Sequence, residues 1–212
     1  MAVTASGAQE ALRLFDVSRE TSDKLAMLES ELRRWQAIKN LVGPGTLDRI
    51  WDRHIVDSLQ LLSLAPHART WLDLGSGAGF PGLVLAIAGI EQGLEVHLVE
   101  SNSRKCAFLR HIVRLSGAKA KVHEARLETV VPTFVGKTDV VSARALAALD
   151  QLLDWTSPLL KAGTIGLFPK GRDVEVELTQ ARKSWKFDLD ILPSRTDSEA
   201  RILRISSIES LS

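Results

Sequence analysis

At 212 residues, 45% hydrophobic and 25% charged, the chain has the size and composition of one soluble globular domain with a sizeable core. A formal charge of +1 excludes a global pull on nucleic acid, so any nucleic-acid site must be a local patch. The single cysteine, Cys106, excludes an internal disulfide and an all-cysteine zinc site, and makes a reducing cytoplasm the expected setting.

The opening "MAVTASGAQEALRLF" has no basic region followed by an apolar stretch, so it does not read as a signal peptide. The longest apolar run, "LVLAIAGI", is too short to span a bilayer. Leu25, Leu28, Leu32, Trp35 and Ile38 recur at steps of three and four, which predicts one face of a helix. "LVGPGTL" (41–47) breaks it, and a second helix is expected from Leu47 to Leu62. These elements form a helical extension, 1–66, packed on a core at 67–212. From Thr70 short β-rich runs alternate with helices: "TWLDL", a helix at Pro81–Ala88, "EVHLVE", a helix at Arg104–Leu115, "KVHEA", "TDVVSA", a helix at Ala147–Leu160, "GTIGLFPKG", and a helix at Asp173–Ser184. That rhythm predicts an α/β fold, a mostly parallel sheet with helices on both faces. "FDLDIL" and "RILRISSI", with no helix between them, are expected to form an antiparallel hairpin at the sheet's end, followed by a loose tail.

In such sheets ligands sit beyond the carboxyl ends of the strands. There Asp73 closes the first strand, and Gly75, Gly77 and Gly79 follow, with Phe80 and Pro81 at the next helix start. Glycine allows positive φ and removes Cβ, so a ligand can lie against the backbone. Glu100 ends the second strand, where a carboxylate can accept from both hydroxyls of a ribose. A dinucleotide would want G-x-G-x-x-G and free N–H groups at the helix start, whereas this turn is G-x-G-x-G with a donor-less proline. S-adenosylmethionine, which carries ribose and adenine but no phosphate, fits better. After the third strand, Leu127–Glu128 offers a backbone N–H beside a carboxylate, a pair that can read adenine or simply start a helix. His123 has no second ligand at metal spacing, so no metal site is expected.

Ser142 and Arg144 end the fourth strand. The rim carries none of the proline-aromatic device that polarises exocyclic amines, and Cys106 reads as packed rather than nucleophilic. An acceptor that needs neither is a ring nitrogen with an exposed lone pair, such as guanine N7, for which in-line positioning is the main requirement. Arg144 is poorly placed for plain solvation and is expected to bind a phosphate or the cofactor carboxylate through its planar fork. Lys170 and Arg201 fall near predicted strand ends, Arg104 and Lys105 lie on the helix after Glu100, and these four are the candidate RNA contacts.

These segments, with "RRWQAIKNL", "HIVDSLQLL", "LDLGSGAGFPG", "VES…RKCAFL", "EARLE", "VVSARALA" and "FPKG", resemble the bacterial 16S rRNA guanine-N7 methyltransferases, also called glucose-inhibited division protein B, over nearly the whole chain. Gln36 departs from the family's asparagine after the tryptophan. The resemblance implies a Rossmann-like class I methyltransferase fold and S-adenosylmethionine as methyl donor. It implies cofactor contacts at Gly75, Phe80, Leu127, Glu128 and Arg144. As substrate it implies the guanine at position 527, in the 530 loop of 16S rRNA, on the small ribosomal subunit or its precursor. Nothing in the sequence demands more than a monomer. The alternatives are a small-molecule methyltransferase, a non-enzymatic adenosine-binding module and, last, an NAD-linked oxidoreductase.

Overall fold

The structure, a computed structural model, describes residues 14–39, 41–43, 45 and 47–211; residues 1–13, Asn40, Pro44, Thr46 and Ser212, with the sequence readings that fall on them, lie outside it, as does the Ile38 side chain. Among the described residues seven strands form one sheet in the order β3-β2-β1-β4-β5-β7-β6. Its strands are β1 (Thr70–Leu74), β2 (Glu95–Glu100), β3 (Ala120–Glu124), β4 (Val140–Ala143), β5 (Ile165–Lys170), β6 (Trp185–Pro193) and β7 (Arg201–Ser210). The pairings from β3 to β5 are parallel. The closing hairpin is antiparallel, and β7 slots between β5 and β6 rather than at the edge. Trp185 pairs with Ser210, so the tail expected to be loose is strand. The backbone of β6, from Trp185 to Asp188, supplies the partner that the tail's polar composition does not advertise.

The β1 sequence "TWLDL" is buried almost throughout because the strand lies mid-sheet with both faces covered. Trp71 joins the apolar cluster on one face, and Leu72 and Leu74 join the cluster on the other. The first face carries α1 (Arg19–Lys39), α2 (Asp57–Leu64), α3 (Gly82–Ala88) and α4 (Ser103–Ser116). The second carries α5 (Leu127–Val130), α6 (Leu149–Lys161) and α7 (Val174–Ala181). Leu25, Leu28 and Leu32 of α1 are fully buried in the first cluster, and Trp35 meets Phe108 edge-on at 5.5 Å. Buried Glu29 accepts from Trp51 Nε1 at 2.6 Å and from Arg33 Nε at 2.9 Å, fixing α1 against the segment before α2. Gln36 does local work instead, bonding both backbone groups of Val42 at 2.9 Å.

The expected second helix is not uniform. A 3₁₀ turn at Leu47–Arg49 leads into a π-helical turn, Trp51–Val56, before α2 begins. Such widened turns recur at functional sites because they re-aim side chains without ending the helix. The chain runs from β1 out to β3 and returns to β4 on β1's other side, so the order reverses at the carboxyl ends of β1 and β4.

Candidate functional site

The three glycines of the turn do different things. Gly75, Gly77 and Gly79 all have positive φ (66°, 57° and 99°), which side chains rarely adopt. A Cβ at Gly75 would lie 2.6 Å from Leu146 Cδ1, and one at Gly79 would strike Leu83, so those clearances serve packing. At Gly77 a Cβ would meet only Gly75 O, at 3.7 Å. That is the one position of the three where the backbone is left bare to open space. Gly82 was not singled out in the sequence. A Cβ there would sit 2.6 Å from Asp73 Oδ2, and Gly82→Ala is expected to cost on the order of 1–3 kcal/mol by overpacking, read from urea midpoints. A variant as stable as the parent would mean that α3 can shift away from β1.

Asp73 corrects the sequence reading. It was expected to meet the cofactor, yet its carboxylate is fully buried. Ser142 Oγ donates to Oδ1 at 2.7 Å and the Gly82 N–H to Oδ2 at 3.2 Å, while Trp71 Nε1 donates to Ser142 Oγ at 2.9 Å. Burial pushes its pKa up to about 6 against those hydrogen bonds. Asp73 therefore braces the turn from beneath. It also takes the helix-start N–H that a phosphate would need, while the Leu83 N–H goes to Gly79 O at 2.8 Å. The turn suits a ligand without phosphate.

Glu100 ends β2 with its oxygens on the Gly77 N–H (3.0 Å) and the Asn102 N–H (2.8 Å). Each carboxylate oxygen has a second lone pair, so the group can hold the loop and still accept from a diol. Glu100, Gly75, Lys105, Leu127, Glu128, Leu146 and Trp155 line a cleft of about 340 Å³. The Leu127 N–H opens α5, where the first N–H groups have no partner within the helix. Trp155 was missed, since a tryptophan inside an amphipathic helix reads as core.

A second pocket of about 540 Å³ lies across the turn, lined by Phe80, Arg144, His54, Asp57, Lys170 and Arg201 among others, and Ala145 lines both cavities. Ala145 has φ of 51°, strained for a residue with a side chain and placed where the two cavities meet. Arg144 lies 5.7 Å over the Phe80 ring. Its fork, expected to face a phosphate or cofactor carboxylate, is engaged by the π-turn and α2. Nη1 donates to Arg53 O (2.9 Å) and Asp57 Oδ2 (3.2 Å), and Nη2 to His54 Nδ1 (2.6 Å). His54 also stacks on Phe80, with ring centroids 5.0 Å apart. His54 and Asp57 were absent from the predicted site. Their signal was the H-x-x-D spacing in "HIVDS", which puts both on one helical face.

Burial, with Arg144 and Arg53 close by, pulls the His54 pKa down to about 4, so the ring is neutral at pH 7. A base whose folded pKa lies below its unfolded 6.5 contributes stability that is lost as pH falls from 6.5 toward 4. Asp73, raised from 3.8 to about 6, acts oppositely and gains on the folded side over nearly the same window. Subtracting the denaturation curves of His54→Gln from the parent's isolates the histidine: the parent's advantage should shrink as pH is lowered from 6.5 to about 4.5. A pH-independent difference would mean that His54 is protonated alike in both states.

The four expected RNA contacts separate. The Lys170 side chain is only 8% exposed, donating to Ala147 O at 2.8 Å and to Glu177 Oε2 at 2.7 Å, which also accepts from the Leu149 N–H. It braces the start of α6, and its ammonium is spent before any phosphate arrives. Lys170→Met should lower stability by on the order of 1–3 kcal/mol, because Glu177 loses its partner, with little change in the salt dependence of RNA binding. Arg201 lines the larger pocket. Arg104 is exposed and Lys105 half-buried beside the smaller cleft, both at the start of α4 where Asn102 caps their backbone N–H groups. The pocket also gains exposed Arg53, whose nearest acid is Asp197 at 3.8 Å. His123 pairs with His97 at 2.9 Å, 26 positions away, and no group of three or more possible metal ligands occurs among the described residues.

The family model described as rRNA small subunit methyltransferase G (GidB) matches residues 21–200. Ribosomal RNA small subunit methyltransferase G of Methylobacterium radiotolerans is 64% identical over 91% of this chain and 90% of its own length. The protein of the same name from Parvibaculum lavamentivorans is 50% identical over 92% and 87%. Among solved structures, an O-methyltransferase from Bacillus cereus in complex with SAH superposes with a TM-score of 0.61 at 15% identity, over 94% of this chain and 96% of that one. That likeness concerns the fold, a Rossmann-like class I methyltransferase. With the glycine turn, the H-x-x-D turn and the arginine ending β4 all inside the matched region, the chain belongs to the rRNA small subunit methyltransferase G family.

Proposed function

We propose that the protein transfers the methyl group of S-adenosylmethionine to N7 of a guanine in small-subunit rRNA, the position-527 guanine of the 530 loop being the one its sequence resemblance implies. The observation that carries this reading is that Ala145 lines both cavities and that, among the described residues of the larger one, His54, Asp57, Glu177 and Asp197 each already face a basic partner. Asp73 is sealed under the turn, Lys170 is ion-paired, and His54 Nδ1 already accepts from Arg144. S-adenosylmethionine supplies a methyl group on a sulfonium, whose departure leaves a neutral thioether. The guanine N7 lone pair forms the new bond to carbon as the carbon–sulfur bond breaks, and the positive charge passes to the base without loss of a proton. Phe80 offers its ring to the pocket, and the turn around Gly77 leaves room for the donor. Mass mapping of methylguanines in small-subunit rRNA, with and without the gene, tests the assignment: one N7-methylguanine should vanish, and an unchanged map would overturn it.

An RNA acceptor is favoured over a small molecule by the arginines at the pocket mouth. Arg53 and Arg201 are the proposed phosphate contacts, with Arg104 and Lys105 reaching RNA only if it crosses the smaller cleft. Because binding releases counterions from the RNA, log affinity should fall linearly with log salt. Arg53→Ala and Arg201→Ala should each flatten that line by about one phosphate contact, measured by filter binding over a salt series. Parallel lines for parent and both variants would reject these contacts. The protein is read as acting as a monomer, and an rRNA substrate suits the cytoplasm; among the described residues no helix is long and apolar enough to cross a membrane.

A further inference from the structure

Outside the glycine turn, one carboxylate collects hydrogen bonds from three parts of the chain. Asp57, in the first turn of α2, accepts from Arg144 Nη1 on Oδ2 at 3.2 Å. Its Oδ1 accepts from Gln60 Nε2 at 2.7 Å and from Thr196 Oγ1 at 2.8 Å. Thr196 lies in the connection between β6 and β7, 139 positions away in sequence. Gln60 repeats the bridge: its Oε1 accepts from the Arg195 N–H at 3.0 Å, and its Nε2 lies 3.4 Å from Ser194 Oγ. That connection forms one wall of the larger pocket through Ser194, Thr196, Asp197 and Ala200, and the arginine ending β4 forms another.

We propose that Asp57 is a positioning residue for methyl transfer, holding Arg144 and the β6–β7 connection as one unit so that both walls of the acceptor pocket are set together. This rests on the methyltransferase reading above. The chemistry suits an aspartate. A carboxylate is acceptor-only, with room for all three donors at once, whereas a side-chain amide would turn its own N–H toward the guanidinium or toward Thr196. Asp57 is only 15% exposed, so its bonds to Arg144 and Thr196 are shielded from water. An arginine displaced by about an ångström is enough to cost orders of magnitude in rate when catalysis rests on alignment.

The test measures methyl transfer from labelled S-adenosylmethionine to small subunits lacking the modification, with kcat and KM taken separately. Thr196→Val cuts only the outer link and should raise KM for the subunit about threefold or more while kcat stays within about twofold. Asp57→Asn should raise KM similarly and also lower kcat by about tenfold. Placed on Arg144→Lys, Asp57→Asn should add less than about threefold to the kcat loss, because it acts through that arginine. Losses that multiply, or an Asp57→Asn variant with melting temperature lowered but kcat and KM intact, would overturn the role. Amide hydrogen exchange decides the link without activity: Arg144→Lys should speed exchange across 194–200, and unchanged exchange there would break the coupling. If the methyl maps to an atom other than guanine N7, the functional proposal fails while the same rates still decide on Asp57.

Discussion

Arg144→Ala should lower single-turnover methylation of the small subunit by on the order of a hundredfold, and Arg144→Lys should recover only part of it. The guanidinium spans Arg53 O, Asp57 and His54 while lying over Phe80, and a lysine cannot place donors on all three at once. Full activity in Arg144→Lys would remove the planar fork from the mechanism. The same measurements across pH carry a second expectation. Because N7 attack releases no proton, the rate should be level from about pH 6 to 9, where enzymes that deprotonate an acceptor show a rising limb. His54 does not disturb this window, since its pKa is held down to about 4 by burial and neighbouring arginines. A steep rise governed by one ionisation would restore a general base. The methylated guanine is cationic, and Arg144 is kept from opposing it by the carboxylate of Asp57 beside it.

Glu100→Ala should weaken S-adenosylmethionine binding by tenfold or more, about 1.4 kcal/mol or above by calorimetry. If the carboxylate holds a ribose diol, two hydrogen bonds to a charged group are lost, each worth roughly 1.5–3 kcal/mol. The structure adds a second cost, because the Gly77 N–H bonds the same group and the bare part of the turn would loosen. Glu100→Gln separates the two: one amide oxygen can still hold Gly77, while the anionic acceptor is gone. Undiminished affinity in both variants, folded by circular dichroism, would end the ribose assignment. Gly77→Val should bind worse still, since a β-branched residue is strained at a φ of 57° and its side chain would enter the open space above the turn.

How far the sequence reached can be judged from particular residues. The alternation of β-rich runs with helices placed β1 to β5; in β1, β2, β4 and β5 burial on both faces forces short continuous apolar runs, a local signature that the edge strand β3 lacks. Gly75, Gly77 and Gly79 were legible because tolerance of positive φ, which all three adopt, is a property of glycine itself. Which of them faces open space was not legible, since that depends on Leu146 and Leu83 arriving from elsewhere. Asp73 and Lys170 were misread for one reason. A charge at a strand end looks available until its partners, Gly82 and Ser142 for one and Glu177 for the other, are seen to surround it.

The sequence by itself determined the periodicities, the glycines that permit the turn, the absence of a phosphate cradle beside Pro81 and the family resemblance, all of which live in neighbouring residues. Tertiary structure alone decided that the π-turn, the start of α2 and the β6–β7 connection converge on the site, that Asp57 joins Arg144 to Thr196 across 139 positions of chain, and that Trp155 reaches the smaller cleft. The physical reason is range: backbone conformation and hydrophobic period are local, whereas a hydrogen bond's partner is whatever the folded chain brings within about 3 Å.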